Sequence, residues 1–131
     1  MKPQYGYCAV TADFLHIGHI EFLKACKEHC ENLIVGVMAD ECVEIYKGRR
    51  PIMNQMQREE MVKSLRFVHK TIIQTEFDFP HYVFRLKEFY GKDFIIIDSD
   101  EHKHKRKADI TIEGGIVRKH GISSTMFKET K

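Results

Sequence analysis

The sequence predicts an α/β domain with a central parallel sheet flanked by helices. Three observations predict it. Leu33–Met38 (Leu-Ile-Val-Gly-Val-Met) and Phe94–Ile97 are almost unbroken apolar runs, as strands covered on both faces require. Stretches with apolar residues at helical spacing separate the β-prone runs, the alternation that builds right-handed βαβ units. The chain has 131 residues, 43% hydrophobic and 31% charged. That supports one core, so residues 1–131 read as a single domain.

The elements follow in order. Tyr5–Thr11 is apolar and β-prone and reads as the first strand. Ile17–Glu31 reads as a helix with Ile20, Leu23, Cys26 and Cys30 inward, and Leu33–Met38 is the second strand. Asp40–Tyr46 suits a short helix, and Lys47-Gly48-Arg49-Arg50-Pro51 a basic loop ended by proline. Asn54 is an N-cap with Gln57 as its reciprocal partner. The helix it opens runs to about Leu65, with Met61 and Leu65 facing inward. Lys70–Gln74 is the third strand. Pro80 suits the first turn of a fourth helix, with Val83, Leu86 and Tyr90 on one face and Gly91 closing it. Phe94–Ile97 is the fourth strand. Ser99–Lys107 is polar and basic, Ile110–Val117 suggests short β structure around Gly114-Gly115, and Ser123 caps a last helix through Lys131.

Charge and composition exclude some classes. Lys+Arg is 21 and Asp+Glu is 19, a near-neutral balance that argues against a general nucleic-acid binder or a membrane-surface protein. No apolar run is long enough to span a bilayer. Met1-Lys2-Pro3-Gln4-Tyr5 lacks the apolar core of a signal peptide, so a cytoplasmic protein is expected. Cys8, Cys26, Cys30 and Cys42 are then expected reduced. Cys26, His29 and Cys30 could share a helix face as metal ligands. Three ligands lack a fourth, however, and Cys26 and Cys30 fit the buried stripe of the helix.

Function is concentrated in Thr11-Ala12-Asp13-Phe14-Leu15-His16-Ile17-Gly18-His19, where a strand hands over to a helix. A helix start offers unpaired backbone N–H groups and the positive end of a dipole. Two imidazoles there can face an anion such as a triphosphate, and glycine lets the backbone come close to it. In parallel sheets ligands bind beyond the carboxyl ends of the strands, near the switch point. Asp98–Asp100, after the fourth strand, should converge on the same cleft.

These residues resemble the nucleotidyltransferase superfamily marked by His-x-Gly-His, and within it the small cytidylyltransferases of the glycerol-3-phosphate kind. Three blocks carry the resemblance. Thr11–His19 is similar to the family's GTFDxxHxGH. Arg58 with Ser64-Leu65-Arg66-Phe67-Val68 is similar to its R…xxRYVD helix. Arg118-Lys119-His120-Gly121-Ile122-Ser123-Ser124-Thr125 is similar to its RTEGISTT. The chain departs from the pattern at Val10, Ala12, His69 and Lys119-His120, and Glu101 stands where the family has tryptophan. The form Thr-Ala-Asp-Phe-Leu-His with Gly121–Thr125 is also similar to cytidylyltransferase domains of phosphonate pathways. Lys47–Pro51 is similar to a loop of adenylyltransferases acting on heptose phosphates.

The resemblance implies a Rossmann-like domain of the HxGH nucleotidyltransferase type. It implies transfer of CMP from CTP to a small phosphate or phosphonate monoester, with release of pyrophosphate. His16, His19, Lys47 and Arg118 would be the catalytic residues, and Thr11, Asp13, Arg58, Asp100, Ser123, Ser124 and Thr125 would bind the nucleotide. Mg²⁺ would accompany CTP, with Asp13 a possible ligand through water. Two alternatives stand beside this reading: an adenylyltransferase using ATP and a sugar phosphate, and a nucleotide-binding regulatory protein without turnover, which the departures from the pattern would suit. A homodimer, with Arg66-Phe67-Val68 near its interface, is carried over on resemblance alone. The basic stretch His102-Lys103-His104-Lys105-Arg106-Lys107 would grip phosphates or remain a solvated loop.

Overall fold

In the computed structural model, which describes residues 1–75, 79–99 and 108–112, the apolar runs form a five-stranded sheet. The strands are β1 (Tyr5–Val10), β2 (Asn32–Met38), β3 (Val68–Gln74), β4 (Phe94–Ser99) and β5 (Ile110–Ile112). The helices are α1 (Ile17–Lys27), α2 (Asp40–Lys47), α3 (Gln55–Lys63) and α4 (Phe79–Tyr90). The strand order is β3-β2-β1-β4-β5, and every neighbouring pair is parallel. This is the Rossmann-like α/β architecture that the sequence predicts.

Strand β2 explains its own composition. It lies between β1 and β3, and Leu33, Ile34, Val35 and Val37 are all buried. Alternate side chains serve opposite faces. Cys8, Val10, Leu33, Val35 and Val37 pack with Leu23, Cys26 and Val62 from α1 and α3. Tyr7, Ile34 and Ile96 pack with Leu86 of α4. Burial on both sheet faces is the main stabilising contribution.

Several boundaries differ from the sequence reading, for local reasons. Strand β1 stops at Val10, because Ala12 and Phe14 take left-handed backbone angles, φ 55° and 66°. Helix α1 ends at Lys27 rather than Glu31. The Glu31 and Asn32 amides donate to the Pro3 and Gln4 carbonyls at 2.9 Å each, which draws the chain into the sheet. Cys30 thus lies beyond the helix, against Gly6, where a Cβ would fall 2.6 Å from its Sγ. Strand β2 starts at Asn32, and α2 runs through Lys47, ended by Gly48 at φ 77°. Lys47 is therefore a helix residue and not a loop residue.

In α3 the Asn54–Gln57 capping box forms as expected. The inward face differs. Met61 is 44% exposed, and the buried positions are Arg58 and Val62. An arginine on the sheet-facing side displaces the apolar stripe by one position. Leu65 packs against the core from the turn beyond the helix, which ends at Lys63. Strand β3 begins at Val68, and its register with β2 skips His69. Strand β4 runs to Ser99, so Asp98 and Ser99 belong to it.

Pro80 lies in the first turn of α4, Leu86 is buried, and Gly91 follows at φ 88° with its amide bonded to the Lys87 carbonyl. The side chain of Val83, the Gly114-Gly115 segment and the helix expected from Ser123 lie outside the described residues. All four cysteines are buried free thiols, and no cluster able to hold a metal occurs among the described residues. No described helix is long and apolar enough to cross a membrane.

Candidate active site

The sheet order reverses at β1: β2 and β3 lie on one side, β4 and β5 on the other. In parallel sheets the crevice that takes ligands lies at such a reversal, here at the carboxyl ends of β1 and β4. Thr11–His19 leaves β1 there, and Asp98 and Ser99 end β4. Asp98 is buried, and its Oδ1 accepts from the Ser99 amide at 2.8 Å.

The turn after β1 is strained and then held. Among the described residues, Ala12 and Phe14 are the only non-glycine residues with positive φ, a conformation that costs about 1–3 kcal/mol each. Asp13 stands between them, fully buried. Its Oδ2 accepts from the Ile52 amide at 2.9 Å and its Oδ1 from the Met53 amide at 3.0 Å. Two charge-assisted bonds offset that strain and tie the turn to the segment before α3.

His16 and His19 cap α1 by a reciprocal arrangement. His16 is the N-cap, and its Nδ1 accepts from the Gly18 amide at 3.0 Å. His19, three residues on, accepts at Nδ1 from the His16 amide at 3.2 Å. An imidazole that accepts at Nδ1 carries its proton on Nε2. Both rings are thus held in the tautomer that donates from Nε2. The ring centroids are 4.0 Å apart, with planes inclined by 40°.

The pair is neutral near pH 7. Burial lowers the His16 pKa. Burial, with the neighbouring His16 and Lys47 charges, pushes His19 down to about 4. Lys47 is thus near enough to act on His19, with its cation at the last turn of α2. The unfolded His19 titrates near 6.5, so between about 4 and 6.5 the unfolded chain binds more protons. Its contribution to stability is complete above 6.5 and is lost as pH falls toward 4, by up to about 3 kcal/mol. His19→Gln keeps an acceptor for the capping box without titrating. Urea midpoints at pH 7 and 4.5 should fall further on acidification in the wild type than in the variant. Equal falls would count against this assignment.

Arg58 is fully buried. Its Nε donates to the Met53 carbonyl at 2.9 Å, and its Nη1 to the carbonyls of Thr11 at 2.8 Å and Met38 at 2.7 Å. Its Nη2 pairs with Asp40 Oδ1 at 2.7 Å. The guanidinium is fully buried among these partners, which departs from the expected phosphate contact. The ion pair runs to Asp40, not to its neighbours Glu59 or Glu60. Asp40 goes unmarked in the sequence, because an acid in a helix's first turn already suits the dipole. A cleft of about 470 Å³ opens beside this pair, lined by Asp40, Glu41, Arg50, Asn54 and Gln55 among others.

The structure thus brings together Thr11, Asp13, His16, His19, Lys47 and Arg58. Asp100, Arg118, Ser123, Ser124 and Thr125, with the basic stretch 102–107, lie outside the described residues. Among described residues nothing forms a cage for Mg²⁺. Asp13, with both oxygens on backbone amides, does not fit as its ligand.

Comparisons with known proteins bear on the family and the fold. An FAD synthase of Thermococcus kodakarensis is 33% identical over 116 residues, covering 88% of this chain and 72% of the relative. FAD synthases of Thermococcus sibiricus and Pyrococcus abyssi are 48% and 46% identical over 61 residues, 47% of this chain. The chain spans only 41% of the length of each of those two relatives. A crystal structure of the lipopolysaccharide core biosynthesis protein from Thermoplasma volcanium superposes with a TM-score of 0.65. That protein is 26% identical, and the match covers 82% of this chain and 93% of the other. The sequence model of the cytidylyltransferase-like family matches residues 7–130, and the chain belongs to that family of nucleotidyltransferases.

Proposed function

We propose that this protein moves a nucleoside monophosphate from a nucleoside triphosphate to a small phosphorylated acceptor. The acceptor's phosphate oxygen attacks the α-phosphorus, the α–β bridge breaks, and pyrophosphate leaves with its electron pair. No enzyme nucleophile is needed; alignment and donors aimed at the developing charge do the chemistry.

The observation that carries this reading is the His16–His19 capping box, which holds two Nε2–H donors at a helix start in the switch-point crevice. In the proposal both donate to phosphate oxygens of the triphosphate. Being neutral, they leave charge compensation to cations, a role assigned to Lys47 and Arg118. Ser123, Ser124 and Thr125 would add hydroxyl and amide donors. Mg²⁺ would travel with the triphosphate as its counter-ion, supplying charge neutralisation, and is not routed through Asp13.

Two readings of the base have specific support. Relatives named FAD synthase favour ATP, because FAD contains an adenylyl group joined through a pyrophosphate linkage. The block Arg118 to Thr125, similar to that of the cytidylyltransferases, favours CTP. A panel of ATP, CTP, GTP and UTP with Mg²⁺ tests both. The acceptors would be FMN, polyol phosphates, amino-alcohol phosphates, sugar phosphates and phosphonates, read by pyrophosphate release. Faster release with ATP supports adenylyl transfer, and faster release with CTP supports cytidylyl transfer. Triphosphate binding without release from any pair would leave a nucleotide-binding regulator instead. A homodimer belongs to the same proposal, and sedimentation velocity tests it.

A further inference from the structure

We propose that Asp13 and Arg58 are positioning residues that clamp segment 48–54 and the start of α2 onto the turn after β1, acting on transfer without touching nucleotide or metal. This inference rests on the nucleotidyl-transfer reading.

The two grips meet at one residue. The Met53 amide donates to Asp13 Oδ1, and the Met53 carbonyl accepts from Arg58 Nε. Asp13 also holds the Ile52 amide. Arg58 reaches in addition the carboxyl end of β1 through the Thr11 carbonyl, the end of β2 through the Met38 carbonyl, and α2 through Asp40. Thus one buried cation and one buried anion join three stretches of chain, 11–13, 38–40 and 52–58, that are distant in sequence.

Neither group is presented to a ligand. Both residues are fully buried. The four bonds of Arg58 use four of the five guanidinium N–H donors. Asp13 has a backbone amide on each oxygen. What the clamp carries is presented. Arg50 and Asn54 of the held segment, with Asp40, line the 470 Å³ cleft. Lys47 ends α2 immediately before that segment and acts on His19. Gly48 connects them at φ 77°, with nothing within 4 Å of a Cβ there. The exposed Arg50–Glu44 pair at 2.7 Å and the Asp40 amide's bond to Gln55 Oε1 at 2.9 Å also tie this region to α2, and Asp13 and Arg58 are its buried grips.

Three variants test this. Asp13→Asn keeps one acceptor and sets an NH₂ against a backbone amide. Ile52→Pro removes the Ile52 N–H while leaving Asp13 intact, at a residue 47% exposed. Arg58→Lys keeps charge but has no planar fork for four acceptors. Each should lower kcat by about 10²-fold, the cost of misplacing reacting groups by roughly 1 Å. The calorimetric Kd for the triphosphate should stay within about threefold, since positioning and not binding is lost. In Asp13→Asn the Met53 amide should lose protection from hydrogen exchange. The Asp13→Asn/Ile52→Pro double variant should be little worse than the poorer single, because both remove a shared contact.

A tenfold rise in Kd with Met53 protection unchanged would overturn the clamp and restore direct ligand contact, as would multiplying effects in the double variant. If Asp13→Asn fails to fold, Ile52→Pro and Arg58→Lys carry the test. If the wild type turns over no substrate pair, the functional reading falls instead. Met53 exchange and triphosphate Kd then judge the clamp: unchanged protection in Asp13→Asn overturns it.

Discussion

Replacing His16 or His19 with alanine is expected to lower turnover by about 10²–10³-fold, the usual effect of removing one donor aimed at developing charge. Alanine also removes a cap, worth about 1 kcal/mol, so a lone alanine variant confounds two roles. The geometry separates them. His16 caps α1 through Nδ1, while the proposed phosphate donor is Nε2. His16→Asn supplies a side-chain oxygen at the N-cap, among the best capping groups, but nothing in place of Nε2–H. Asparagine should therefore restore the alanine variant's urea midpoint to near wild type while turnover stays down. Recovery of activity along with stability would show that His16 matters only as a cap. His19→Gln makes the matching comparison at the third helical position.

Gly36→Ala should be the most damaging single methyl in the described core. A Cβ built on Gly36 falls 1.7 Å from Tyr7 Oη and 2.5 Å from Tyr7 Cζ. Tyr7 is fully buried, and its hydroxyl donates to Gln74 Oε1. The ring crosses β2 to make that bond with β3, and the missing side chain at Gly36 is its passage. With alanine the ring must leave, which breaks the bond and disturbs packing against Ile34 and Ile96. Overpacking of this kind costs about 3 kcal/mol. The urea midpoint should drop with the slope unchanged, and an unaltered midpoint would refute the close approach. Tyr7→Phe keeps the ring but leaves Gln74 short of a partner, and should cost a smaller amount, about 1–2 kcal/mol.

The elements that the sequence disclosed are those with a one-dimensional signature. β2 and β4 are read from continuous apolar runs, because central strands are buried on both faces. The start of α3 is read from Asn54 and Gln57, because a capping box is a local bond pattern. The ends of elements were less legible. Helix α1 stops short of Glu31 because the Pro3 and Gln4 carbonyls capture the Glu31 and Asn32 amides, a long-range event with no mark near Lys27. Met61 and Arg58 exchanged their expected places for a similar reason: an arginine is buried only when distant carbonyls and Asp40 await it.

For the site, chemistry was legible and partnership was not. His-Ile-Gly-His after a β-prone strand marked an anion-facing helix start, since histidine spacing, glycine and helix dipole are all local properties. Tertiary structure decided which atoms do what. It placed both Nδ1 atoms on backbone amides, leaving the ring protons on Nε2. It turned Asp13 toward Ile52 and Met53, and it buried Arg58 against the Thr11 and Met38 carbonyls and Asp40. The physical reason is that residue type limits what a side chain can bond, while only the fold determines which groups come within 3 Å of it.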